Sequence, residues 1–145
     1  MNGPDLTQRP PRSPRVKLGG YVILPRILDV GRAHLAGKAG EYTFGCPLDQ
    51  QFLSFTGLRA DDLLAELKAG KSDVEVLRWV RERSGRTEPE ILAWSAYQVQ
   101  RAPSDAEGRE FYNESAKKLA PERDDLVTWF DLLDVDDYVS FGGRA

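Results

Sequence analysis

Residues that could carry out chemistry are concentrated in and around one glycine-rich stretch of the chain. They are His34, Glu41, Tyr42, Cys46 and Asp49. Cys46 precedes Pro47 at the predicted N-cap of a helix, where unpaired backbone amides favour a thiolate. With His34 as the base, such a thiolate would be a candidate nucleophile. The segment therefore predicts a small-molecule site, with catalysis as one possibility.

The same residues also have a structural interpretation. Buried free cysteines are commonly inert, and a histidine near a helix C-terminus interacts favourably with the helix dipole. His34 and Cys46 are the only residues of their types in the 145-residue chain. A histidine-rich metal site is therefore excluded, and no metal site is predicted. A lowered pKa of the Cys46 thiol would distinguish the catalytic interpretation from the structural one.

A second group of candidates lies near the C-terminal end of the sequence. It comprises Trp129, Asp131, Asp134, Asp136, Asp137 and Tyr138. Asp131 and Asp134 are three positions apart and share a helical face. An EF-hand loop is excluded, because valine replaces the required glycine and alanine replaces the final glutamate. A divalent ion could bridge Asp131 and Asp134, but a solvated face or partners for the basic arm is the favoured interpretation of the carboxylates. The aromatic side chains suit a core, a pocket or an interface.

The beginning of the sequence is basic and rich in proline. Residues 1–38 have a net charge of +5, whereas residues 103–145 have a net charge of −6. Proline restricts the backbone to extended conformations. We therefore predict an extended arm over residues 1–20 and a single helical domain over residues 21–145. Arg12 and Arg15 are candidate contacts of the arm, either with its own domain or with a protein partner in a homo-oligomer or another complex.

Composition excludes several classes of function. The chain is 41% hydrophobic and 30% charged, which is typical of globular proteins. Its net charge of −3 gives no bulk attraction to nucleic acid or to an anionic membrane, so neither partner is predicted. A single cysteine fits a reducing, cytoplasmic location. No dinucleotide, P-loop or zinc motif is present, so no cofactor is predicted.

The spacing of apolar residues predicts seven helices and little else. They cover roughly residues 24–36, 47–56, 60–69, 73–84, 88–101, 105–119 and 123–135. Ser72, Thr87 and Ser104 are each followed three positions later by glutamate, which is the capping-box pattern of a helix start. The short loops indicate a compact, mostly α bundle. Residues 41–44 could instead form a short β-ribbon with residues 138–141.

Sequence motifs spread over most of the chain are similar to those of a known family. They are Arg12-Ser13-Pro14-Arg15, Leu18-Gly19-Gly20-Tyr21, Leu24-Pro25-Arg26, Phe52-Leu53-Ser54-Phe55-Thr56-Gly57-Leu58, Gly70-Lys71-Ser72-Asp73, Glu75-Val76-Leu77, Trp94 and Trp129-Phe130-Asp131-Leu132-Leu133-Asp134. On these motifs the chain resembles an uncharacterised bacterial family, domain of unknown function 5069. The resemblance implies one domain from Leu6 onward and supplies no catalytic residues. It leaves a protein- or small-molecule-binding module as the first hypothesis, with a small enzyme built on residues 34–49 as the alternative.

Overall fold

A computed structural model describes residues 3–145 and contains seven α-helices over that range. They are α1 (Leu24–Leu35), α2 (Pro47–Thr56), α3 (Ala60–Lys68), α4 (Asp73–Ser84), α5 (Glu88–Gln100), α6 (Ala106–Leu119) and α7 (Trp129–Ser140). The predicted all-α fold is confirmed, since the only β-type pairing described is an isolated bridge between Leu18 and Tyr21. Over the same range, every helix is too short or too polar to traverse a bilayer.

The contacts within the chain define two compact units. Unit 1 is Met1–Ser95 and contains α1 to α4 with the first part of α5, and unit 2 is Ala96–Ala145 and contains the rest of α5 with α6 and α7. The single domain over residues 21–145 stays a prediction.

Unit 1 is built around α1, which packs against α2 and α3. A Cβ atom at Gly31 would lie 2.5 Å from Cδ1 of Leu67, so a larger residue there would require the Leu67 side chain to move. Tyr21 lies beside them, with its ring centroid 5.3 Å from that of Phe52 and 6.1 Å from that of Trp94. The apolar faces of these helices therefore form one aromatic-centred core within unit 1.

The N-terminal segment, residues 3–20, is folded onto α1. Leu6 is only 1% exposed and packs with Val30 and Ala33. Its backbone N–H donates to the carbonyl of Lys38 over 2.9 Å. The segment contains no helix, and its backbone forms turns at residues 6–8 and 14–15. It therefore contributes to the core of unit 1.

Capping boxes begin two helices where the sequence predicts them. At α4, the Ser72 hydroxyl accepts from the backbone N–H of Glu75 over 3.3 Å, and the Glu75 carboxylate accepts from that of Ser72 over 3.1 Å. Thr87 and Glu90 form the same reciprocal pair at α5. These boxes pair backbone N–H groups that a helix start would otherwise leave unpaired.

The predicted capping box at Ser104 is wrong. Asp105 is the N-cap of α6, and its carboxylate accepts from the backbone N–H of Gly108 over 2.6 Å. An aspartate caps as well as a serine does. Its negative charge also interacts favourably with the positive end of the helix dipole. Two adjacent residues could therefore cap this helix, and the charged one does so.

The last helix also differs from the prediction of residues 123–135. α7 begins at Trp129, after Thr128, which forms a capping box with Asp131. In this box aspartate replaces the glutamate of the other two. The helix continues to Ser140. The β-ribbon between residues 41–44 and 138–141 is therefore wrong, because helical hydrogen bonds take up the backbone of residues 138–140.

Candidate functional site

Arg12 in the N-terminal segment is held by two aspartates of unit 1. Its Nε and Nη2 atoms both donate to Asp29 over 3.0 Å, and its Nη1 atom donates to Asp73 over 2.8 Å. The backbone N–H of Arg12 donates to Asp29 as well, over 2.9 Å. Arg32 donates to the same Asp73 carboxylate over 2.7 Å. We call this group the Arg12 clasp.

The clasp shifts the pKa values of Arg12 and Asp73 in the direction of stronger pairing. Burial alone would lower the pKa of Arg12, but the hydrogen bonds to Asp29 and Asp73 outweigh it and raise that pKa. Burial alone would raise the pKa of Asp73, but its bonds to Arg12 and Arg32 lower it below the ordinary value. The guanidinium of Arg12 is thus committed within unit 1. Arg15, the other predicted arm contact, is exposed, and its backbone N–H donates to the hydroxyl of Ser13.

Cys46 is the N-cap of α2, as predicted, but its thiol is not activated. Burial raises the pKa of the thiol, and the negative charge of Asp49 raises it further. The backbone N–H groups near the helix start act in the opposite direction and do not compensate. This direction is opposite to the lowered thiol pKa that a nucleophilic role needs, because burial beside a carboxylate outweighs the helix-end effect.

Asp49 completes the start of α2. It is only 3% exposed, and its carboxylate accepts from the backbone N–H of Gly45 over 2.8 Å. Burial raises the pKa of Asp49, while hydrogen bonds from Gly45 and Cys46 and the nearby charge of Arg26 oppose that rise. A carboxylate in the first turn that accepts from preceding N–H groups is a helix cap. The contacts of Asp49 thus account for its position without any catalytic role.

The remaining residues of the glycine-rich stretch have separate surroundings. His34 is exposed and stacks on Phe44, with ring centroids 6.4 Å apart. The Tyr42 ring lies 5.5 Å from the guanidinium carbon of Arg26, and Glu41 is exposed. Among residues 3–145, no group of three His, Cys, Asp or Glu side chains is arranged to hold a metal ion. The structure therefore pairs Cys46 with Asp49 and leaves His34 in a different contact.

The acidic group near the C-terminal end has mixed roles in unit 2. Asp131 accepts from the backbone N–H groups of Val127 and Thr128, so its carboxylate is a cap. Asp131, Asp134 and Tyr138 line a shallow groove of about 290 Å³. Trp129 lies outside the residues lining that groove and is half-buried. The structure thus brings three of the predicted residues together and separates Trp129 from them.

A larger cleft, of about 420 Å³, lies in unit 1. It is lined by Gly19, Gly20, Arg81, Arg86, Glu88, Ile91 and Leu92. Gly19 and Gly20 form the tight turn between Leu18 and Tyr21, where both have positive φ angles that favour glycine. Because neither has a side chain, the backbone itself forms one wall. No local pattern in the sequence indicates the cleft.

The two arginines of this cleft differ in whether other residues bind their guanidinium groups. The Nε atom of Arg86 donates to the carbonyl of Phe55 over 2.8 Å, and its Nη1 atom donates to Glu90 over 2.9 Å. Arg81 is exposed and has no hydrogen bond or ion pair among the described residues 3–145. The cleft thus combines a fixed guanidinium, a free guanidinium and the apolar side chains of Ile91 and Leu92.

Fold and cleft together define an all-α protein with a partly cationic concave surface. The family model described as domain of unknown function (DUF5069) matches residues 8–139. The chain therefore belongs to this family, as its motifs indicate. No curated protein matches the chain.

Proposed function

We propose that the protein is a binding module whose cleft in unit 1 holds a small organic anion. The observation that carries this proposal is the free guanidinium of Arg81 beside the apolar side chains of Ile91 and Leu92. The volume, about 420 Å³, lies within the range of ligand pockets, roughly 300–1,000 Å³. A cation that none of residues 3–145 neutralises is available to a ligand.

The lining favours an anion that also has an apolar part. Guanidinium groups bind carboxylates and phosphates through paired hydrogen bonds. The first turn of α5 contributes a positive dipole end near the same cleft. Glu88 adds one negative charge to the lining, which disfavours a polyanion. A ligand with one anionic group and an aromatic or aliphatic body matches this combination.

The alternative, a small enzyme built on residues 34–49, has weaker support. A nucleophilic cysteine needs a thiolate at neutral pH. Burial and the charge of Asp49 raise the pKa of Cys46 instead. His34, the predicted base, contacts Phe44. We therefore favour ligand binding in the cleft of unit 1, where Arg81 lies beside Ile91 and Leu92.

A titration followed by two-dimensional amide NMR tests the proposal. Phenyl phosphate and benzoate are added as probes, with benzyl alcohol as the uncharged control. We expect the amides of Gly19, Gly20 and Ile91 to shift with both anions and to respond little to the alcohol. Unshifted cleft amides, or an equal response to the alcohol, would contradict anion binding.

A pair of matched variants locates the interaction. Arg81→Gln removes the free guanidinium and should weaken phenyl phosphate binding about tenfold, the value of one charge-assisted hydrogen bond. Arg78→Gln makes the same change one turn earlier on α4, at an exposed residue outside the cleft, and should leave affinity unchanged. Equal loss in both variants would indicate general attraction to a basic helix.

We also infer a cytoplasmic location, supported by the single cysteine, which fits a reducing compartment. Fractionation of cells that express the untagged chain tests this inference. Recovery in the cytoplasmic fraction is expected, and recovery with membranes or in the medium would contradict it.

A further inference from the structure

Arg101, which follows α5 in unit 2, is a partly buried arginine without a carboxylate. Its Nε atom is buried and has no hydrogen-bond partner, and the side chain makes no ion pair with any residue of 3–145. Its guanidinium carbon lies 6.0 Å from the centroid of the Trp129 ring. Burial lowers the pKa of Arg101. A partly desolvated cation without an anion is unfavourable, so a carboxylate from another molecule would stabilise it.

Exposed aromatic side chains lie close to this cation. Tyr97, one turn earlier on α5, is 62% exposed, and Phe111 on α6 is 61% exposed. The ring centroid of Phe111 is 6.4 Å from that of Trp129. Tryptophan, tyrosine and arginine are the residue types enriched at the energetic centres of protein interfaces. We call these four residues (Tyr97, Arg101, Phe111 and Trp129) the Arg101 surface.

A carboxylate of the required kind adjoins the Arg101 surface. Glu107 lies one helical turn before Phe111 on the same face of α6. It is exposed and makes no hydrogen bond or ion pair with any part of the chain that the structure describes. Unit 2 thus has an unpaired cation beside the ring of Trp129 and an unpaired anion one helical turn from the exposed ring of Phe111.

We propose that the Arg101 surface binds the same surface of a second copy of the chain, with Arg101 of each copy paired to Glu107 of the other. A two-fold axis brings identical surfaces together, so residue i meets residue j and residue j meets residue i. The free cation and the free anion then neutralise each other twice. The exposed rings of Phe111 and Tyr97 lose contact with water in the same step. This interaction is independent of the cleft in unit 1.

Sedimentation velocity with charge-reversal variants tests the proposal. Concentrations from about 1 µM to about 1 mM cover weak and moderate association. We expect the wild-type chain to dimerise in this range. Arg101→Glu and Glu107→Arg should each raise the dissociation constant at least about tenfold, because each places like charges opposite one another. The double variant restores opposite charges and should return the constant to near the wild-type value.

Two further variants test the dimer interface without changing Arg101, in case Arg101→Glu does not fold. Phe111→Ser changes an exposed ring and should also weaken the dimer, with an unchanged circular dichroism spectrum. Arg109→Glu makes the same charge change on a different face of α6 and should leave the dimer intact. A wild-type chain that stays monomeric would overturn the proposal. A dimer whose dissociation constant is unchanged in Phe111→Ser would also overturn it. The same holds if the double variant dimerises no more tightly than the single variants.

Discussion

Arg12 near the N-terminus and Arg101 after α5 are both partly buried arginines, but within residues 3–145 only Arg12 has anionic partners. Burial acts to lower the pKa of each. Asp29 and Asp73 reverse this effect for Arg12, whereas Arg101 faces the ring of Trp129 and its pKa falls. An arginine that the chain neutralises stabilises the fold, and one that it leaves unpaired is available to another molecule. Arg81 resembles Arg101 in this respect, since it has no ion-pair partner among residues 3–145.

The comparison also bears on the basic N-terminal arm. Its charge and prolines predict contact either with its own domain or with a partner. Leu6 and the Arg12 clasp both make contacts within unit 1. Binding of a partner by the arm stays a prediction.

The largest effect is expected from the apolar anchor of the arm. Leu6→Ala should lower the free energy of unfolding by about 2–3 kcal/mol, because the leucine is buried against Val30 and Ala33. Val16→Ala, in the same segment but 39% exposed, should change it by less than about 0.5 kcal/mol. Urea unfolding measures both. Equal effects would mean that the arm is not packed as described.

Removal of one clasp carboxylate should have a smaller and pH-dependent effect. Asp73→Asn should cost about 1–2 kcal/mol near pH 6, as expected for partly exposed charge-assisted hydrogen bonds. The pKa of Asp73 is lowered in the folded state. Its stabilisation is therefore complete above the unfolded-state pKa of about 3.9 and is lost as the pH falls through the folded-state pKa.

Urea unfolding at about pH 6 and about pH 2 follows this dependence across the titration range of a carboxyl group. The difference between wild type and Asp73→Asn should shrink at the lower pH. Glu82→Gln, an exposed change on the same helix, serves as the control. A difference independent of pH would show that the charge of Asp73 does not hold the clasp.

The smallest of these effects concerns the helix start that follows Arg101. Asp105→Ala should destabilise the protein by about 1 kcal/mol, the usual value of an N-cap. Ser104→Ala should have almost no effect, although the sequence makes Ser104 an equally good cap. Thermal unfolding of the two variants under identical conditions distinguishes them. A larger loss for Ser104→Ala would place the cap one residue earlier.

Features set by neighbouring residues could be predicted from the sequence. All seven helices and the caps at Ser72 and Thr87 depend on spacings of three or four positions. The predicted cap at Ser104 was wrong because the adjacent Asp105 can also cap the helix. The predicted start of α7 was wrong because its capping box contains aspartate in place of glutamate. Local signals therefore identify helices well and their exact starts less well.

Properties of the candidate site depend on contacts that no local pattern contains. Cys46 is at the predicted N-cap, but the direction of its pKa shift follows from burial in the folded chain. The cleft joins Gly19 to Arg81 and Ile91, which are far apart in sequence. Whether an arginine is paired, as Arg12 is, depends on folding that brings Asp73 to it.

Three arginine variants distinguish a paired arginine from two unpaired ones. Arg12→Gln, Arg81→Gln and Arg101→Gln are unfolded in urea side by side at about pH 7, above the titration of every carboxylate with an ordinary pKa. We predict a loss of about 1–3 kcal/mol for Arg12→Gln, which leaves two aspartates without their arginine. Arg81→Gln and Arg101→Gln should each lose less than about 1 kcal/mol. A loss in either of these as large as that of Arg12→Gln would contradict the claim that unpaired arginines serve binding rather than stability.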